Sequence, residues 1–334
     1  MIQFILVGLG AGAVAALTFA ALAAGSTLSM LLFYLAPLPV MIAALGWSHW
    51  AGLLAALVGT AALAMWFGSL FFLVFLLGLA LPGWWLSYLA LLARPSGDPA
   101  APTLDWYPTG RIVLWAAVLG ALAVALALPT FGSDVDAIRD TLRDGFARVF
   151  RQRPDAGLPS GTGVPGATDP EPLFELLAIA LPPAAASLMT VTLLLNLWLA
   201  AKAVSVSGRL PRPWPALAEI SFPLVSAVAF AAAIAASLLP GLAGLLSGMV
   251  AASLSVAFTA LGLTVIHALT RRLKSRGLVL STLYAAVLLF GWPLFVVMLV
   301  GLADTAVGLR TRFGGPPTPA GPKGPPGPSG GGAV

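Results

Sequence analysis

Nine stretches of this chain are apolar for 17 to 32 residues each, at 2–24, 28–46, 50–67, 69–93, 112–128, 173–204, 222–239, 241–269 and 278–309. A helix needs about 20 apolar residues to cross the hydrocarbon of a bilayer. Inside lipid each backbone N–H and C=O must be satisfied within the spanning structure, which leaves helices or closed barrels. Barrel strands alternate apolar and polar residues, whereas these runs are continuous. The sequence therefore predicts an all-α, polytopic transmembrane bundle of eight to nine helices.

Composition excludes most alternatives. Of 334 residues, 59% are hydrophobic and 9% charged, against about 25% charged in a soluble domain. The chain has no cysteine, which removes disulfides and thiolate metal sites. The formal net charge is +5. Its basic residues sit in short loops between apolar runs, where they orient a chain in the membrane rather than bind nucleic acid. The first 24 residues hold no Lys or Arg, so 2–24 lacks the positive start of a signal peptide and reads as a first span. Nine crossings with the N-terminus inside give no clear positive-inside bias. A break at Gly291-Trp292-Pro293, with the chain turning back, would give one.

Residues 1–313 read as one membrane domain, with a loop and surface helix in 130–172 and a disordered Pro/Gly-rich tail over 314–334. In the loop, Ser133 and Asp136 form a capping pair. Ile138, Leu142, Phe146, Val149 and Phe150 then share one helical face, with Asp134 and Asp136 leading and Arg143 and Arg148 following. This predicts an amphipathic helix on the bilayer surface, either a lid or docking helix or a plain connector.

No catalytic motif survives its context. "GPSGG" at 327–331 lies in the tail, and "GTGVPG" at 161–166 follows no strand. None of the three lysines follows a glycine, and His49 and His267 are too far apart for a metal-spaced pair. The expectation is a non-enzyme without catalytic residues, metal or cofactor.

Candidate sites are the polar groups inside apolar runs. Asp304 shares a helical face with Gly301, Thr305 and Gly308. A carboxylate in lipid is costly, so it needs a partner such as Arg271, Arg272 or Arg310, a ligand or proton to hold, or a solvated helix end. The last segment, if one helix, has 32 residues and is about 48 Å long, so Asp304 can reach the edge of the hydrocarbon. Asn196 reads as a hydrogen bond to a neighbouring helix or a ligand contact, and His267 as a headgroup-level residue or a proton relay. Gly8, Gly12, Ala16 and Ala20 recur every four residues, as do Gly244, Gly248 and Ala252. Such stripes admit a second helix closely, from the same chain or from another membrane protein docking on the first helix.

"NLWLAAKAVSVSGRLPRPWP" (196–215), "HALTRRLKSRG" (267–277) and "GLADTAVGLRTR" (301–312) resemble the YybS-like family of uncharacterised bacterial multi-pass membrane proteins. The resemblance reaches to about residue 313 and implies a bacterial inner-membrane location but no reaction. More remotely, 34–68 resembles the second and third helices of substrate-binding S components of energy-coupling-factor transporters. Those proteins dock a coupling protein through small residues of their first helix, which Gly8, Gly12 and Ala16 match. They have about six helices, fewer than this chain. Together these resemblances imply a solute-binding transporter component that needs an energising partner. The alternative is a non-enzymatic membrane scaffold or assembly factor.

Overall fold

The computed structural model describes residues 2–67, 71–96, 103–152, 171–215 and 220–313. The tail expected to be disordered, 314–334, lies outside them. Among the described residues seven helical rods are long and apolar enough to cross a membrane: Ile2–Ala24, Thr27–Gly46, His49–Phe67, Phe71–Leu91, Thr109–Thr130, Glu171–Val206 and Gly241–Leu269. The molecule is a helical, multi-pass membrane protein.

Proline and glycine decide where these rods bend or stop. The first rod is helix α1 (Ile2–Ala20) and one tighter turn. The second is α2 (Thr27–Tyr34) followed by α3 (Pro37–Gly46). Pro37 has no N–H to continue the ladder, and the Leu38 N–H bonds the Leu35 carbonyl instead, at 3.0 Å. Helix α4 (His49–Phe67) is straight in composition and has no proline. In the fourth rod α5 (Phe71–Phe75) joins α6 (Leu81–Leu91) through a wide π-helical turn over Leu76–Ala80, just before Pro82. Helix α7 (Thr109–Ala127) follows, then α8 (Val135–Gln152) and α9 (Glu171–Val206), with α9 carrying Pro182 and Pro183 inside its 36 residues.

Two expectations need correction in the C-terminal part. The run at 222–239 forms only α10 (Leu224–Ala236), because Phe222 and Pro223 are extended. Helix α11 (Gly241–Leu269) is a full span. The run at 278–309 is not one 48 Å helix. It breaks at Gly291, whose φ of 70° suits glycine, and Pro293 opens the next helix. The result is α12 (Arg276–Phe290), α13 (Pro293–Val307) and a short α14 (Leu309–Phe313). At 15 residues each, α12 and α13 are about 22 Å long, short of the roughly 30 Å of hydrocarbon.

One small two-stranded sheet sits within the otherwise all-α bundle. Strands β1 (Ala93–Ser96) and β2 (Thr103–Trp106) pair antiparallel, with Arg94 opposite Asp105. The Arg94 guanidinium donates to Asp105 Oδ2 at 2.9 and 3.0 Å. Pro95 is tolerated because each strand of a two-stranded sheet is an edge.

Helix α9 is the common strut. It packs against α3 and α6 of the N-terminal half and against α7, α8 and α11 of the C-terminal half. The first half closes around Phe19, Leu63, Phe75 and Leu79; the second closes around Phe222, Phe230, Phe258 and Leu261. Lipid tails are as apolar as leucine, so association inside a bilayer relies on close packing rather than on expulsion of water. Small residues supply it. A Cβ on Gly12 would sit 2.6 Å from the Ala55 carbonyl and one on Gly59 3.0 Å from the Gly12 carbonyl, so α1 and α4 touch along their backbones. Several buried hydroxyls are satisfied within their own helices, as when Thr60 donates to Ala56 O at 2.7 Å and Thr190 to Ala186 O at 2.9 Å, whereas Ser253 Oγ has no partner among the described residues.

Candidate functional site

The first-helix stripe is occupied. Gly8 faces Leu54 and Ala51 of α4, Gly12 faces Ala55 and Val58, and Ala16 is buried in the same core against which Ala20 packs. Of the two readings of Gly8, Gly12, Ala16 and Ala20, packing within the chain is the one seen on this face: α4 covers it. The outward side of α1 instead shows Ile5, Leu6, Leu9 and Leu17. The second stripe is likewise internal, since a Cβ on Gly244 would collide with the Leu239 carbonyl.

The three candidate ligand residues each have an intramolecular partner. Asp304 is 7% exposed. Its Oδ1 accepts the Arg310 backbone N–H at 3.0 Å, and its Oδ2 accepts Arg310 Nε at 3.0 Å and a terminal guanidinium nitrogen at 2.7 Å. Gly308, in left-handed conformation, ends α13 and lets α14 turn back into this ion pair. Asn196 donates from Nδ2 to Tyr34 O and to Thr192 O, both at 2.8 Å, while its Oδ1 finds no partner among the described residues. The Tyr34 carbonyl is the one left open by the Pro37 break, so Asn196 closes a helix end across the bundle. His267 Nδ1 lies 2.9 Å from Leu263 O, and its ring meets Tyr284 of α12. No hydrogen bond or ring contact joins any two of these three among the described residues.

Helix α8 forms where the amphipathic pattern placed it. Its cap is Asp134, not Ser133: Oδ1 accepts the N–H groups of Asp136 at 3.1 Å and Ala137 at 2.9 Å. The Ala137 N–H, then the Ser133 hydroxyl and the Asp136 N–H, hold the Asp134 carboxyl below its ordinary value. Part of the apolar face rests on protein, while Val149 is exposed. Val135 and Ile138 are buried, Phe150 meets Phe174 of α9 with ring centroids 5.3 Å apart, and Arg143 pairs with Glu171 at 2.6 Å.

The site that sequence reasoning missed lies at the other end of α7 and α9. After α9 the chain reads Ser207-Gly208-Arg209-Leu210-Pro211-Arg212-Pro213-Trp214-Pro215. Three alternating prolines prevent a helix, so the segment crosses the bundle end as a strap. Cations tie it down. The Arg209 guanidinium lies 4.6 Å from the Trp47 ring centroid, and Lys202 Nζ lies 5.4 Å from that of Trp214. The half-buried Arg212 donates to Ala90 O near the end of α6 at 3.1 Å and to Thr109 Oγ1 at the start of α7 at 2.9 Å. Burial lowers the Arg212 pKa from its ordinary value, yet a guanidinium stays charged.

Beneath the strap is a cavity of about 320 Å³. Ile112 of α7, Leu194, Trp198 and Ala201 of α9, and Leu261 and Thr264 of α11 line it, with Arg212 and Trp214 at the strap. Volumes of about 300–1,000 Å³ with apolar walls and few polar groups suit small ligands. Asp304, Asn196 and His267 are not in its wall. The sequence signal was the pattern of alternating Pro with Arg and Trp directly after a span. Among the described residues no group of three or more His, Asp or Glu side chains could hold a metal ion. No family model matches the chain, and no curated protein or solved structure matches it.

Proposed function

We propose that the chain is a non-enzymatic, solute-binding component of a membrane transport system, and that the cavity beneath the 207–215 strap is its binding site. The observation that carries this reading is the cavity itself, about 320 Å³ of largely apolar space with one cationic side chain on its wall. A recess with that volume, apolar walls and few polar groups has the character of a small-molecule site. The sequence contains no nucleotide-binding motif, so energy for transport comes from a partner. The resemblances of 34–68 to energy-coupling-factor S components and of the second half to the YybS-like family point the same way, toward a bacterial inner membrane. The positive-inside rule then puts the Lys202, Arg209 and Arg212 end in the cytoplasm. Native mass spectrometry of the full chain in mild detergent tests the reading. A small molecule co-purifies with the parent and is lost from Ala201→Phe, which fills the cavity. A parent that carries only protein mass, and takes up nothing from a lipid and metabolite extract, would favour a scaffold or assembly factor instead.

A further inference from the structure

We infer that the ligand of this cavity is an anionic amphiphile, with its carboxylate or phosphate at Arg212 and its apolar body between α7, α9 and α11. The inference rests on the binding role proposed above and adds the ligand's chemistry.

Three observations converge on it. The walls are aliphatic and aromatic, with Ile112, Leu194, Trp198 and Leu261 among them. A strongly polar solute would leave its groups unpaired against such walls, at a cost of several kcal/mol for each group on the scale of transfer to hydrocarbon. The charge on the wall is a cation: among the described residues, Arg212 is the one ionisable side chain in the lining. Its described partners, Ala90 O and Thr109 Oγ1, are neutral and use two of its five N–H donors. The interior presents almost no polar surface, so a head group would meet the remaining donors at the rim, where the planar, two-oxygen geometry of a carboxylate or phosphate suits them. Lys202 and Arg209, on the same strap end, add like charge, while the one described carboxylate of the adjoining hairpin, Asp105, is taken by Arg94. Finally the cavity runs from the strap into the bundle, so the cation stands at the loop and the apolar walls run inward. An amphiphile enters a bilayer in the same order, head at the interface and tail in hydrocarbon.

The test uses the full chain in phosphatidylcholine nanodiscs and 9,10-dibromostearate as probe, because bromine quenches tryptophan on contact. Trp198 and Trp214 report. The neutral control is the matching dibromostearyl alcohol, and inorganic phosphate is the competitor. The parent should show saturable quenching by the acid. Arg212→Gln, which can still bond Ala90 O and Thr109, should weaken the acid about tenfold, the scale of one charge-assisted hydrogen bond, and leave the alcohol within about twofold. Arg212→Lys should keep most of the preference for the acid. Ala201→Phe should weaken both probes. If Arg212→Gln leaves the preference for acid over alcohol unchanged while Ala201→Phe abolishes both, the anionic head is wrong and the cavity reading stands. If millimolar inorganic phosphate displaces the acid, a free anion is recognised without its tail and the amphiphile is wrong. If Ala201→Phe changes neither probe, the cavity is not the site and the proposed function falls with the inference.

Discussion

Gly262 and Gly301 show how a single missing methyl sets helix contact in this molecule. A Cβ on Gly262 would collide with Val297 O, and one on Gly301 with Phe258 O. Gly301→Leu should therefore force α13 off α11 and cost about 1–3 kcal/mol, the range for overpacking a tight contact. Unfolding in mixed micelles titrated with a denaturing detergent would measure it, and an unchanged midpoint would mean that the two helices separate freely. Asp304 makes the complementary case for charge. Its side chain is 6% exposed and that of Arg310 14% exposed, so the pair is desolvated. Asp304→Asn removes the charge and leaves a buried guanidinium, at a cost of about 3 kcal/mol. Replacing both residues with leucine should recover much of that loss, because neither charge is then buried. If Asp304→Asn unfolds at the parent's midpoint, the pair contributes nothing to holding α14 on α13.

At the scale of elements, the cap of α8 gives a pH test. The Asp134 carboxyl is lowered in the folded state, so its contribution is present above its unfolded value of about 3.9 and is lost as pH falls through the lower folded value. Hydrogen-exchange protection of the first α8 amides should fall on acidification below about pH 4. Asp134→Ala should show low protection at every pH, and equal protection in parent and variant would mean another group caps the helix. The elements themselves were unevenly legible in the sequence. Long apolar runs yield the spans because lipid admits helices without regard to which leucine sits where. The break at Gly291-Trp292-Pro293 was visible because a φ-permissive residue precedes one with no N–H. The Pro37 break was not recognised, although it follows the same rule, because apolar residues flank it on both sides. The 93–106 hairpin was hidden by its prolines. Its register depends on a cross-strand Arg94–Asp105 pair, which local pattern does not reveal. Stripes such as Gly8-Gly12-Ala16 announce close contact but not the identity of the partner. Here it is α4, from the same chain. The strap site was hidden for a similar reason: Arg212 becomes informative only when Ala90, Thr109 and the α9–α11 cleft meet it in space.

The whole molecule has two unlike ends. One carries Arg94, Arg111, Lys202, Arg209 and Arg212 with Trp47, Trp198 and Trp214; the other carries α8 with Asp134, Asp136, Asp140 and Asp144 beside Glu171 and Glu175. Helix α7 connects the two, from Thr109 at the strap to the turn before α8, and its 19 residues are about 28 Å long. The chain has no cysteine, so single cysteines report cleanly. Ser207→Cys should react with a membrane-impermeant maleimide from one side of the membrane and Ser133→Cys from the opposite side. Labelling of both from one side would contradict the bundle's orientation across the bilayer. The central claim is that the space beneath the strap is a binding site, and a cryo-electron-microscopy map of the full chain in nanodiscs made from native lipid tests it most directly. The expected result is elongated non-protein density between Trp198 and Leu261, ending within hydrogen-bonding distance of the Arg212 guanidinium. A map in which Trp214 and the strap have closed into that space, leaving no density and no cavity, would contradict it.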